Sequence, residues 1–225
     1  MTATGKDEQP VLSGAIGSKR VLRQLAVIAM RGGSTVSKFL LAIYTARYLG
    51  LADLGIYGLL ASAATMVPAV LGFGMTEWLM RKIVDLPRAE ALHLIASRLS
   101  MILLLHLILW PPAFGLDILL GEPLPLRIAA LSAAILLLEN LGVEAADMLI
   151  ARRRVLLAYW LTFLRTGFWP IPVMAIGLLY PETRTLESLL LGWLGMLIVS
   201  ALIVAALAIP EGRWRHLRPR LVPLL

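Results

Sequence analysis

Residues Ser34–Val84 read STVSKFLLAIYTARYLGLADLGIYGLLASAATMVPAVLGFGMTEWLMRKIV. Two apolar stretches flank a short turn at Gly50–Asp53, the pattern of two membrane-crossing helices in a hairpin. A helix of about 20 predominantly apolar residues is needed to cross a bilayer core roughly 30 Å thick. The hairpin carries cations where hydrocarbon tolerates them poorly: Lys38 inside the first run and Arg31 just upstream. A charge at the bilayer centre costs at least about 2.5–3.5 kcal/mol, so it is expected to face protein or a water-filled cavity. Arg31 and Lys38 are therefore the first candidates for a working site.

Working outward, the same pattern repeats. The chain has 225 residues, 59% of them hydrophobic, with a mean hydropathy of +0.83. Soluble domains hold about 45–50% apolar residues. The excess lies in six runs: Gln24–Leu49, Leu54–Thr76, Ala91–Ile108, Leu124–Ile150, Leu156–Leu179 and Leu186–Ile209. The third either ends at the Trp110-Pro111-Pro112 break or continues to Leu120, since the proline pair removes backbone donors. The expected fold is an all-α integral membrane bundle of six transmembrane helices over residues 24–210. It lies between a polar, basic N-terminus, residues 1–23, and a basic tail, residues 211–225. The first run is interrupted by Arg31 and lacks a small-residue cleavage site, so it reads as a retained helix and not a cleaved signal. The tail turns apolar again at Leu221–Leu225. That reads as the opening of a further hydrophobic element, with the chain a fragment of a longer protein; the alternative is an interfacial anchor.

The net charge of +7 and pI of about 10.2 would suggest nucleic acid on a soluble chain. Here the cations cluster between apolar runs, so membrane lipids are the expected partners and nucleic acid is not. One set of loops carries fourteen Lys and Arg: Lys6, Lys19, Arg20, Arg23, Arg81, Lys82, Arg88, Arg152, Arg153, Arg154, Arg213, Arg215, Arg218 and Arg220. The other set carries three: Arg47, Arg127 and Arg184. The bias places both termini in the cytoplasm. An odd number of helices would break the alternation.

The remaining cations, Arg31, Lys38, Arg98 and Arg165, lie inside runs. In the first run Arg31, Ser34, Thr35, Lys38 and Thr45 fall on one helical face. In the second, Ser62, Thr65, Ala69, Gly72 and Thr76 form a small-residue stripe that suits close helix packing. The fourth run holds Glu139, Asn140, Glu144 and Asp147. A carboxylate in apolar surroundings must pair or take up a proton. Arg165, at similar depth in the fifth run, is expected to pair across helices with Glu139 or Glu144. The pair either fixes helix rotation or serves a proton-coupled switch or ligand. Tyr159, Thr162 and Thr166 extend that polar face. Asp147 is close enough to Arg152–Arg154 to snorkel to the interface. Interfacial snorkelling also accounts for His93 and Arg98, and His106 among leucines reads as a packed residue.

Enzyme chemistry is not legible. His93, His106 and His216 lack metal-ligand spacing, cysteine is absent, and there is no phosphate-cradling glycine loop or nucleophile elbow. No metal, cofactor or catalytic residue is expected.

Several of these features together resemble the N-terminal half of bacterial polysaccharide (O-antigen-type) flippases, within the multidrug/oligosaccharidyl-lipid/polysaccharide exporter superfamily. They are Lys38, then Ala46-Arg47-Tyr48-Leu49-Gly50, Asp53, Gly55-Ile56-Tyr57, Gly72-Phe73-Gly74 and Arg81. Leu149–Arg154 after the fourth run and Arg213–Arg220 after the sixth add to it. The resemblance covers most of the chain. It implies a bacterial inner-membrane transporter of twelve or more helices in two bundles, working by alternating access. This chain would supply one bundle, opposed by a second half or by a second copy in a homodimer. The implied substrate is a polyprenyl-pyrophosphate-linked oligosaccharide for cell-surface polysaccharide biosynthesis. Arg31, Lys38 and Arg165 would meet its pyrophosphate, and Glu139, Asn140 and Glu144 would form the coupling network. The alternatives are an organic-cation exporter of the same superfamily and a non-transporting membrane scaffold.

Overall fold

A hydrocarbon environment offers backbone amides no water, so a chain this apolar must satisfy them within helices. In a computed structural model, which describes residues 11–72, 82, 86, 88–119 and 124–208, six helices are long and apolar enough to span a membrane. The protein is an all-α, multi-pass membrane bundle. The elements are α1 (Val11–Tyr48), α2 (Leu51–Gly72), α3 (Arg88–Leu119), α4 (Leu126–Ala151), a fifth span and α7 (Leu186–Ala208). The fifth span comprises α5 (Val155–Phe163), a π-helical segment at Leu164–Phe168 and α6 (Pro170–Leu179).

Several boundaries differ from the sequence expectation. Helix α1 begins at Val11, so Lys19, Arg20 and Arg23 stand on the helix and not in a polar leader. The first turn is tighter than Gly50–Asp53: only Leu49 and Gly50 separate α1 from α2. Gly50, at φ 105°, makes this reversal, and Asp53 falls in the first turn of α2, where the helix dipole favours it. Helix α3 continues through Pro111-Pro112 to Leu119. Thr76, Gly74, Glu77, Arg81 and the basic tail lie outside the described residues.

Helix α4 is the hub, packing against α7, α5, α2 and α3, while α1 lies along the fifth span and α2. The core joins Leu41 and Tyr44 of α1, Tyr57 of α2, Ile135 of α4 and Leu190 of α7. Large apolar side chains such as Phe39, Leu59, Leu107, Leu126 and Leu179 face outward, as a lipid-embedded bundle requires. Because lipid tails are as apolar as leucine, helix association depends on close packing and polar contacts. Glycines supply the close approaches: Gly177 lies against Tyr44 and Gly192 against Val173.

Helix α4 ends without a glycine. Arg153 N–H donates to the Ile150 carbonyl at 2.9 Å and Arg154 N–H to the Leu149 carbonyl at 2.8 Å. These are the two bonds of a Schellman cap, with Arg153 at φ 61° in the left-handed position. A non-glycine residue there costs roughly 1–2 kcal/mol, so the turn keeps the middle one of its three arginines at the expense of backbone ease.

Candidate functional site

Three polar assemblies lie within the bundle. The central one is built on Glu139 of α4. Arg165, from the π-helical segment, approaches Glu139 Oε2 at 2.9 Å and also donates to the Glu139 carbonyl. Trp193 Nε1, on α7, donates to Glu139 Oε1 at 2.9 Å. The indole of Trp193 stacks on Trp169 with ring centroids 5.2 Å apart, and Tyr57 meets both rings edge-on. One buried carboxylate therefore ties α4 to the fifth span and to α7. Gly142 makes room for this: a Cβ there would sit 2.6 Å from Arg165 Nη1.

The π-helical turn that carries Arg165 has a local cause. Pro170 lacks the N–H that would close an α-helical bond to Thr166, and a widened turn immediately before it loosens the ladder. Gly167, in the same turn, meets α1 so closely that a Cβ would run into the backbone and hydroxyl of Ser34. Gly167→Ala is expected to lower stability by about 1–3 kcal/mol, the usual cost of overpacking, measured by unfolding in mixed detergent micelles. A neutral result would mean that α1 can part from the π-helical segment freely.

The second assembly corrects an expectation. Arg98 does not snorkel to an interface: it is 5% exposed, and its Nη2 lies 2.8 Å from Oε1 of Glu144, itself 3% exposed. Arg98 lies on the face of α3 that packs against α4, where Glu144 supplies its counter-charge. Glu139 and Glu144 thus belong to two separate ion pairs. Asn140 is buried between them in the sequence, and its side-chain nitrogen finds no hydrogen-bond partner among the described residues. Asp147 is half-buried. His106 is buried, with Nδ1 3.0 Å from the Ile102 carbonyl, so that nitrogen carries the proton.

The third assembly is the polar strip of α1. Its members do share one flank, but that flank straddles the edge of the packed face. Thr45 is buried and Ser34 half-buried, whereas Arg31, Thr35 and Lys38 are exposed. Neither Arg31 nor Lys38 is enclosed by this bundle, contrary to the expectation of a sheltered cavity. Arg31 donates to the Tyr159 hydroxyl at 2.9 Å and lies over its ring, 4.9 Å from the centroid. Lys38 lies within electrostatic range of Glu139 and Arg165, yet among the described residues it makes no salt bridge. It stands ten residues from the end of α1, about 15 Å along the axis, and so deep in the span. Arg165, which the sequence offered as a third substrate contact, is buried and engaged by Glu139.

Among the described residues, the small-residue stripe of α2 is not an internal seam over Ser62–Ala69. Ser62, Thr65 and Ala69 are exposed, with Ser62 and Thr65 hydroxyls donating to Gly58 and Ser62 carbonyls of their own helix. Among the described residues no group of three His, Asp or Glu side chains is placed to hold a metal ion. Sequence reasoning missed Trp193 and Arg98 as partners of the two carboxylates. No family model matches the chain, and neither a curated protein nor a solved structure does so.

Proposed function

We propose that this bundle is one lobe of a bacterial inner-membrane transporter that flips a polyprenyl-pyrophosphate-linked oligosaccharide by alternating access. The observation that carries the reading is Lys38: a cation deep in a membrane span, exposed on the bundle flank and committed to no salt bridge among the described residues. An ammonium costs too much in hydrocarbon to stand idle there. An opposing bundle, from a second half or a second copy, would convert the flank into the wall of a cavity. Arg31, two turns away and braced by Tyr159, would meet the same anion. A pyrophosphate is recognised by charge-assisted donors of this kind. The Arg165–Glu139–Trp193 assembly lies behind Lys38 and fixes the helices that present it. It acts as a positioning element in this reading, and Glu144 with Arg98 fixes α3 likewise.

An exporter of organic cations is less well supported, because Glu139 and Glu144 are each engaged by an arginine. The test is translocation of a fluorescent polyprenyl-pyrophosphate sugar in vesicles containing this chain alone. Lys38→Ala should reduce transport about 10–100-fold, the worth of one charge-assisted contact, with insertion intact and partial rescue by Lys38→Arg. Unchanged transport in Lys38→Ala refutes the assigned role. Absence of transport by the unsubstituted chain rules out a working homodimer, absence of lipid-pyrophosphate binding as well favours a scaffold, and preferential binding of organic cations favours the exporter.

A further inference from the structure

A groove of about 420 Å³ runs between the early part of α1 and the start of α5, lined by Arg23, Arg154, Leu156, Leu157 and Trp160. We infer that this groove is a binding site for an anionic membrane phospholipid, whose headgroup phosphate is held by Arg23 and Arg154 and whose acyl chain lies on Leu156, Leu157 and Trp160. The inference goes beyond the transport reading and stands if that reading fails.

Three observations support it. The two guanidinium groups come from separate elements, one from α1 and one from the residue preceding α5. Among the described residues neither makes a salt bridge. The rest of the lining is apolar, and Trp160 is 51% exposed. A free phosphate has no use for such a wall, whereas a phospholipid presents a charged head and an oily tail in that order. Basic pockets between helices at the membrane surface are a recurrent feature of anionic-lipid contact.

The test is native mass spectrometry of the purified full chain, delipidated and exposed to equal amounts of phosphatidylglycerol and phosphatidylcholine. The chain should retain phosphatidylglycerol about tenfold in preference: both lipids carry the phosphate, but the choline cation of phosphatidylcholine meets the two arginines with like charge. Arg23→Gln with Arg154→Gln should bring the ratio to near parity. Arg152→Gln with Arg153→Gln, which removes the same charge outside the groove, should leave it unchanged. Glycerol phosphate as a soluble competitor should displace little, because it has no tail. The inference fails if the groove variant keeps its preference, if both variants lose it equally, or if glycerol phosphate competes as well as the lipid. Melting profiles of the two variants guard against a folding artefact: a groove variant that melts early is replaced by Arg154→Gln alone, read against the same ratio.

Discussion

Replacing Glu139 by Leu is expected to destabilise the bundle by about 3–5 kcal/mol, the cost of leaving a buried charge without its partner. Arg165 would then face hydrocarbon and aromatic rings, with only the backbone carbonyl of residue 139 to receive its donors. Trp193 would lose its acceptor as well. The double replacement Glu139→Leu with Arg165→Leu should recover most of the loss, since exchanging a buried pair for apolar side chains is often neutral or stabilising. Reversible unfolding in mixed micelles, run as a double-mutant cycle, measures the coupling directly. Additive effects of the two single replacements would show that the contact holds nothing together.

The second large effect concerns Arg98. A residue snorkelling at an interface can be replaced for within about 0.5 kcal/mol. A buried partner of Glu144 cannot, and Arg98→Leu is expected to cost about 3 kcal/mol, close to the insertion penalty of the carboxylate left behind. Because α3 packs chiefly on α4, the loss should appear as early detachment of α3. Protease sensitivity around residues 88–119, measured together with global unfolding, distinguishes local from global loss. A change under 1 kcal/mol in Arg98→Leu would return Arg98 to the interface and sink the assignment.

The architecture was legible because its determinants are periodic and one-dimensional. Six apolar runs separated by basic or turn-forming residues leave little choice of fold, and the helices observed differ from those runs mainly at their ends. The Arg165–Glu139 pair was legible as one of two options, since both residues sit at similar depth in neighbouring runs. What escaped the sequence depends on rotation. Arg98, five residues inside an apolar span that starts at His93, reads as interfacial by position, and only the rotation of α3 toward α4 sets it against Glu144. Trp193 carried no sign of its role, since an indole N–H in an apolar run looks like any other packed ring. The split of the α1 strip into buried Thr45 and exposed Lys38 is decided by where the packed face ends, which depends on the neighbours and not on spacing. The fifth run reads as one continuous helix, Leu156–Leu179, so neither the widened turn before Pro170 nor the place of Arg165 on it was legible.

The widened turn at Leu164–Phe168 holds one residue more than an ordinary helix would use to climb the same height. A helix turns by about 100° per residue, so α6 is rotated by that angle relative to an uninterrupted α5. The span therefore reads correctly only as two wheels: one presents Tyr159 and Ala158, the other Pro170 and Gly177. Removing the extra residue would let the turn close as ordinary α-helix, with both ends of the rod still facing their present neighbours and only the widened turn that carries Arg165 lost. The widened turn thus absorbs a change of chain length that neither the neighbouring helices nor a count of oily residues would register.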